Sequence, residues 1–154
     1  MLFSIILIIL DQGIKILIDT SLILNHSVEV IPNFFAITSA HNYGAAWSIF
    51  SNKQYLLIGI GIFALIVIYI YFIRNKKLKK IDIISLSMLI AGIIGNLIDR
   101  IRLGYVIDYL DFNIFGYDYP IFNLADTLIV ISMIILVLKS YKEEKNAKSD
   151  CRWI

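Results

Sequence analysis

Asp99, Asp108, Asp111, Asp118 and Asp126, in the C-terminal half of the chain, fall in or beside strongly apolar sequence. Two carboxylates held close together in a low-dielectric site cannot both ionise cheaply, so they share one proton and titrate as a unit. Such a pair supplies both an acid and a base: the ionised member takes a proton from water while its protonated partner polarises a carbonyl. That is the division of labour in peptide hydrolysis by paired aspartates. Spacing alone does not fix which acids meet. Asp99 has Arg100 and Arg102 beside it and reads as an ion-pair partner, whereas Asp111 and Asp118 read as solvated charges in a connecting loop. Asp126 has no basic residue within a helical turn, so a proton or a second carboxylate is expected to neutralise it. Asn123 lies three residues before Asp126 on the same helical face, and Asn96, Asp99 and Arg100 share a face in the same way.

Other reactive residue types carry quieter readings. Lys15 is spaced i,i+4 from both Asp11 and Asp19 and either neutralises its helix or serves the polar site. His26 and His41 read as surface residues rather than metal ligands, and Trp47 as an interface anchor. The single cysteine, Cys151, offers neither a disulfide framework nor a multi-cysteine metal site. The ending Cys-Arg-Trp-Ile has the length of a prenylation box, but its second position is charged rather than aliphatic.

The elements that must position these groups are membrane spans. Tyr55 to Ile73 is uncharged between Lys53 and Arg74, long enough at about 1.5 Å per residue to cross the hydrocarbon. Ile83 to Ile98 and Ile121 to Leu138 form two further spans, and Leu2 to Ile18 a fourth, interrupted by Asp11, Gln12 and Lys15. The first apolar stretch runs directly into those polar residues and reads as a retained helix, not a removed signal. The segments from about 19 to 53 and 99 to 120 are net acidic, whereas Arg74, Lys76, Lys77, Lys79 and Lys80 cluster in the short loop between spans two and three. Retention of basic loops in the cytoplasm puts both termini on that side. Val28 to Phe50 is rich in β-branched and aromatic residues, broken by Pro32 and Gly44, and predicts short strands in a small sheet at the membrane surface. Tyr105, Tyr109, Phe112, Phe115, Tyr117 and Tyr119 suit the interface. Gly92 and Gly95 let the third helix approach a neighbour closely.

Composition agrees with this layout. Of 154 residues, 59% are apolar and 17% charged, and the mean hydropathy is +0.80, which points to one membrane-embedded unit spanning 1–154 rather than a soluble domain. A net charge of +2 from 14 basic and 12 acidic side chains gives no general pull toward nucleic acid. The expected fold class is therefore mainly α: a polytopic membrane protein with a four-transmembrane-helix bundle and a small extracytoplasmic β-sheet.

Four polar blocks in order resemble those of the lipoprotein signal peptidases (signal peptidase II), and the resemblance spans nearly the whole chain. They are Asp11-Gln12-Gly13-Ile14-Lys15; Asn42-Tyr43-Gly44-Ala45-Ala46-Trp47-Ser48; Gly95-Asn96-Leu97-Ile98-Asp99-Arg100 with Val106-Ile107-Asp108; and Phe122-Asn123-Leu124-Ala125-Asp126. The resemblance implies that Asp108 and Asp126 are the catalytic pair. It also implies that Asp11, Lys15, Asn42, Gly44, Asn96, Asp99, Arg100 and Asn123 support them or hold the substrate, with no metal and no cofactor. Three positions depart from the family pattern: Thr127 stands where serine is usual, Ile14 where a hydroxyl residue is common, and little basic sequence precedes the first helix. The implied reaction is cleavage of diacylglyceryl-modified prolipoproteins just before the lipidated cysteine. It would take place in the bacterial cytoplasmic membrane near the outer leaflet, with membrane lipid as a second partner and the oligomeric state left open. The alternative class is a small transporter or ion-pathway protein that uses the same buried acids.

Overall fold

The computed structural model describes residues 2–45, 49–75 and 78–150. The expectations for Trp47, Cys151 and the start of the Lys76–Lys80 run lie outside these residues.

Apolar sequence without internal proline builds four helices: α1 (Leu2–Ser21), α2 (Gln54–Arg74), α3 (Lys80–Leu103) and α4 (Leu124–Asp150). By length and composition, α2, α3 and α4 can each cross a membrane. α1 carries three charges, at Asp11, Lys15 and Asp19, but Asp11 and Lys15 are turned inward and almost fully buried. Its other faces present Leu2, Ile5, Ile6, Ile9, Ile16 and Leu17 outward. An outward apolar surface on every helix, around a core that contains ion pairs, is the arrangement lipid demands and water does not.

Helix α3 is central, packing against α1, α2 and α4. Apolar burial does not drive helices together in lipid, so close backbone approach and interhelical hydrogen bonds must do so. Gly92 supplies the approach: a Cβ there would clash with the Ala125 carbonyl oxygen and fall 2.7 Å from Ile129 Cγ1. At Gly95 a Cβ would fall 2.5 Å from Asp11 Oδ2 and 3.3 Å from Ala125 Cβ, so this one position admits both α1 and α4. The start of α3 is tied to α4 by Lys139, which is paired with the buried Asp82, and by Lys79, 2.8 Å from Glu143. Asp82 also accepts the Lys79 N–H at 2.8 Å, closing the first turn of the helix.

At the far end of the bundle lies a four-stranded antiparallel sheet of β1 (Ser27–Ile31), β2 (Phe35–Asn42), β3 (Val106–Ile114) and β4 (Tyr117–Asp118), in sequential order. It packs on the ends of α1, α3 and α4 through Ile107 and Tyr109, which meet Ile18, Leu22, Leu103 and Leu124. The strands expected between Val28 and Phe50 form. The sheet also recruits β3 from the segment read as a connecting loop, pairing Asp108 with Ala40. Val106, Ile107, Tyr109 and Leu110 are β-branched, aromatic or bulky apolar residues and can cover the helix ends, which is what converts that loop into a strand.

Helix limits shift accordingly. α3 continues to Leu103 rather than about 98, because Asp99 is satisfied in the interior and the stop is Gly104, left-handed at φ 80° with its N–H on Arg100 O. α4 starts at Leu124 rather than about 121, because Phe122 bridges to Leu110 and Asn123 serves as the cap.

Candidate active site

The site lies where the sheet meets α1, α3 and α4, and it is assembled from side-chain amides. Asn123 precedes the first turn of α4; its Oδ1 accepts the Asp126 N–H at 2.9 Å, and Asp126 Oδ2 accepts the Asn123 N–H at 3.4 Å. This reciprocal box satisfies two otherwise unpaired N-terminal donors and fixes the Asp126 side chain against its own helix. The Asn123 amide then reaches across to β3, where its Nδ2 donates to Asp108 Oδ1 at 2.6 Å. One residue therefore holds both carboxylates.

Asp108, only 2% exposed, receives a second amide from β2: Asn42 Nδ2 lies 2.9 Å from its Oδ2. The Asn42 amide is oriented by the Gly44 N–H, which donates to its Oδ1 at 2.9 Å. Burial pushes the Asp108 carboxyl up to about 7; the neighbouring Asp126 charge adds to the rise, and the Asn42 and Asn123 amides oppose it.

A buried ionic cluster lies behind the pair. Lys15 Nζ is 3.0 Å from Asp11, 2.8 Å from Asp99 and 3.0 Å from Asn96 Oδ1, which uses all three ammonium donors. Gln12 bridges both acids and the Gly95 carbonyl, Asp11 accepts the Ala125 N–H at 3.0 Å, and Asp99 accepts the Ile107 N–H. Asn96 passes the cluster's polarity to the site: its Oδ1 faces Lys15, and its Nδ2 donates to Asp126 Oδ1 at 2.7 Å. Arg100 Nη2 donates to the Gly44 carbonyl at 3.0 Å, while its Nε is buried with no partner among the described residues, as is Gln54 Oε1.

All ten residues singled out in the sequence thus converge on this region, though not always with the expected partners. Asp99 pairs with Lys15, not with Arg100 or Arg102, because α3 carries it past the loop and onto the face that packs α1. Lys15 pairs with Asp11; Asp19 meets His41 instead, at 3.2 Å, and that histidine is half-buried and stacked on Tyr105 rather than free at the surface. Asp111 is not merely solvated, since Thr38 Oγ1 donates to it at 2.6 Å. Tyr109 is buried rather than interfacial, and its hydroxyl accepts the Leu124 N–H at 3.1 Å. Burial raises the Tyr109 hydroxyl to about 12 against the opposing effect of that bond. Sequence reasoning did not single out Gln12 or Gln54 for the site. A neutral amide inside an apolar helix was the available signal for Gln12, whereas Gln54, at a helix start, gave none.

The fold and interior define a polytopic, mainly helical membrane protein with a polar site at one end of its bundle. The family model for signal peptidase (SPase) II matches residues 3–142. Lipoprotein signal peptidases of Staphylococcus aureus strains JH9 and Newman are each 42% identical over 147 residues, covering 96% of this chain and 90% of theirs. Two bacterial membrane enzymes solved by the in meso method superimpose with TM-scores of 0.89 and 0.81, each at 41% identity. The first alignment covers 94% of this chain and 88% of the other, the second 90% and 89%. The chain belongs to the signal peptidase II family, which places it among membrane peptidases rather than ion pathways.

Proposed function

We propose that the protein is an intramembrane aspartic endopeptidase. It removes signal peptides from diacylglyceryl-modified prolipoproteins, cutting just before the lipidated cysteine, with Asp108 and Asp126 activating one water. The observation that carries this reading is the Asn123 side chain and backbone, which bond both carboxylates and so hold acids from different parts of the chain in one site. Single protonation of such a pair follows from their mutual repulsion in a buried setting.

The supporting residues divide by what they touch. Asn42 and Asn123 hold Asp108, and Asn96 holds Asp126. The Nε of Arg100, beside the Gly44 loop and without a partner among the described residues, suits a substrate carbonyl or ester oxygen. The lipid-facing helices admit the diacylglyceryl chains from the bilayer. Basic residues between α2 and α3 and in the last turns of α4 put both termini in the cytoplasm of a bacterium and the sheet and site at the outer leaflet. The proposed chemistry calls on side chains and a water, with no cofactor.

Purified protein in detergent or liposomes, given a diacylated precursor and its unmodified counterpart, tests this directly. The diacylated form is cut before its cysteine and the unmodified form is spared; equal cutting of both would remove the lipid from the proposed specificity.

A further inference from the structure

Carboxylate oxygens accept hydrogen bonds and side-chain amides can be placed either way round, so the proton of a dyad is located by asking which amides are forced. Three are forced here, each by a group that can only donate. The Lys15 ammonium faces Asn96, so the atom beside it is Oδ1 and the Asn96 Nδ2 must point at Asp126 Oδ1. The Asp126 backbone N–H faces Asn123 Oδ1, so the Asn123 Nδ2 must point at Asp108 Oδ1. The Gly44 N–H faces Asn42 Oδ1, so the Asn42 Nδ2 must point at Asp108 Oδ2.

Both oxygens of Asp108 therefore receive imposed donors, at 2.6 and 2.9 Å. Asp126 receives one, at 2.7 Å, and among the described residues its Oδ2 has only the long 3.4 Å approach of the Asn123 N–H, which a protonated oxygen can also accept. The charged groups around the pair are Lys15 and Asp11 from α1 and Asp99 and Arg100 from α3, and the Lys15 cluster acts on it through the Asn96 amide.

Building on the proposed peptidase reading, we infer that the resting dyad carries its proton on Asp126 Oδ2, so that Asp108 is the general base and Asp126 the general acid, with Lys15, through Asn96, fixing Oδ1 as the accepting oxygen of Asp126. In the first step Asp108 takes a proton from water, the water oxygen bonds to the scissile carbonyl carbon, and the Asp126 proton passes to the carbonyl oxygen, giving a neutral gem-diol. In the second, Asp126 recovers a proton from one diol hydroxyl as the carbonyl reforms. The C–N bond breaks, and Asp108 delivers its proton to the leaving nitrogen.

The assignment has a consequence that does not depend on turnover. An asparagine at 126 resembles a protonated aspartate, with its oxygen toward Asn96 and its NH2 in place of the carboxyl O–H, except that the NH2 cannot accept the long 3.4 Å approach of the Asn123 N–H. An asparagine at 108 has to aim its NH2 at another amide NH2. Thermal unfolding of the full-length chain in detergent, at a pH above the value of about 7 so that Asp108 is ionised, should find Asp126→Asn melting closer to the parent than Asp108→Asn. Asp108→Asn should melt lower by roughly 2–4 °C or more, or fail to fold. Adding Asn42→Asp to Asp108→Asn restores an acceptor opposite the new donor, still accepts the Gly44 N–H, and should recover the lost stability. The reverse order of melting, equal melting, failure of Asp126→Asn to fold, or no recovery in the double variant would overturn the assignment. Turnover by either single variant is a separate readout and would strike the peptidase reading instead.

Discussion

Asn123 and Asp126 bond each other twice, side chain to backbone in both directions, so the cap that begins α4 is also the mount of its carboxylate. A capping box is ordinarily a matter of helix stability. Here the capping amide accepts through its oxygen and keeps its NH2 free to donate to Asp108 and to Asn96. Helix initiation and site geometry are thereby the same set of bonds, and a substitution at 123 disturbs both. Asn123→Ala should lower stability by about 1 kcal/mol through the lost cap. It should also reduce turnover far more than that figure implies, because Asp108 loses its 2.6 Å partner; paired melting and cleavage measurements on the one variant check this.

The Asp108 carboxyl, raised to about 7, makes activity depend on pH in a defined direction. If Asp108 must be ionised to take a proton from water, cleavage rises with pH through about 7. Stability moves oppositely: the folded state holds the proton more tightly than the unfolded chain, so between the ordinary carboxylate value of 3.8 and about 7 stability falls as pH increases. Asn42→Ala removes a bond that favours the ionised form, so the acidic limb of the rate profile shifts to higher pH. An unmoved limb in that variant would contradict the role given to Asn42.

Lys15 is the only cation bonded to Asp11 and Asp99 among the described residues. Lys15→Met leaves both acids buried without a counterion and should cost about 3–5 kcal/mol of stability, read as denaturant or thermal unfolding in detergent. Asp11→Asn retains a net-neutral Lys15–Asp99 pair and should cost less.

The glycines of the bundle should respond by position. Gly92→Ala drives a methyl into the Ala125 backbone and should cost about 1–3 kcal/mol by forcing α3 from α4. At Gly13, where a Cβ meets nothing within 4 Å, alanine should stabilise by about 0.5–1 kcal/mol through helix propensity. Melting temperatures of the two variants, measured side by side, separate packing from propensity.

Much of this was legible from the sequence, for identifiable reasons. Uncharged runs bounded by charges announce helices, and polar residues spaced three and four apart inside them announce an interior face, which is how Asn96, Asp99, Asn123 and Asp126 could be grouped. The third strand was less legible, because Val106 to Leu110 lies among tyrosines and phenylalanines that serve equally in a loop at an interface. The Asp99 partner was missed for a different reason: nearest neighbours in sequence, Arg100 and Arg102, point elsewhere on the helix, and Lys15 comes from more than eighty residues away. In α1 the span is legible from its apolar residues, whereas what lets it carry Asp11 and Lys15, their burial against α3, is not.

Replacing Asp108 or Asp126 with asparagine, one at a time, and following cleavage of a diacylated precursor by the folded variants is the most direct measurement of the central claim. Both variants should release no signal peptide while the parent chain does. Sustained cleavage by either would show that the two carboxylates are not the acid and base of the reaction.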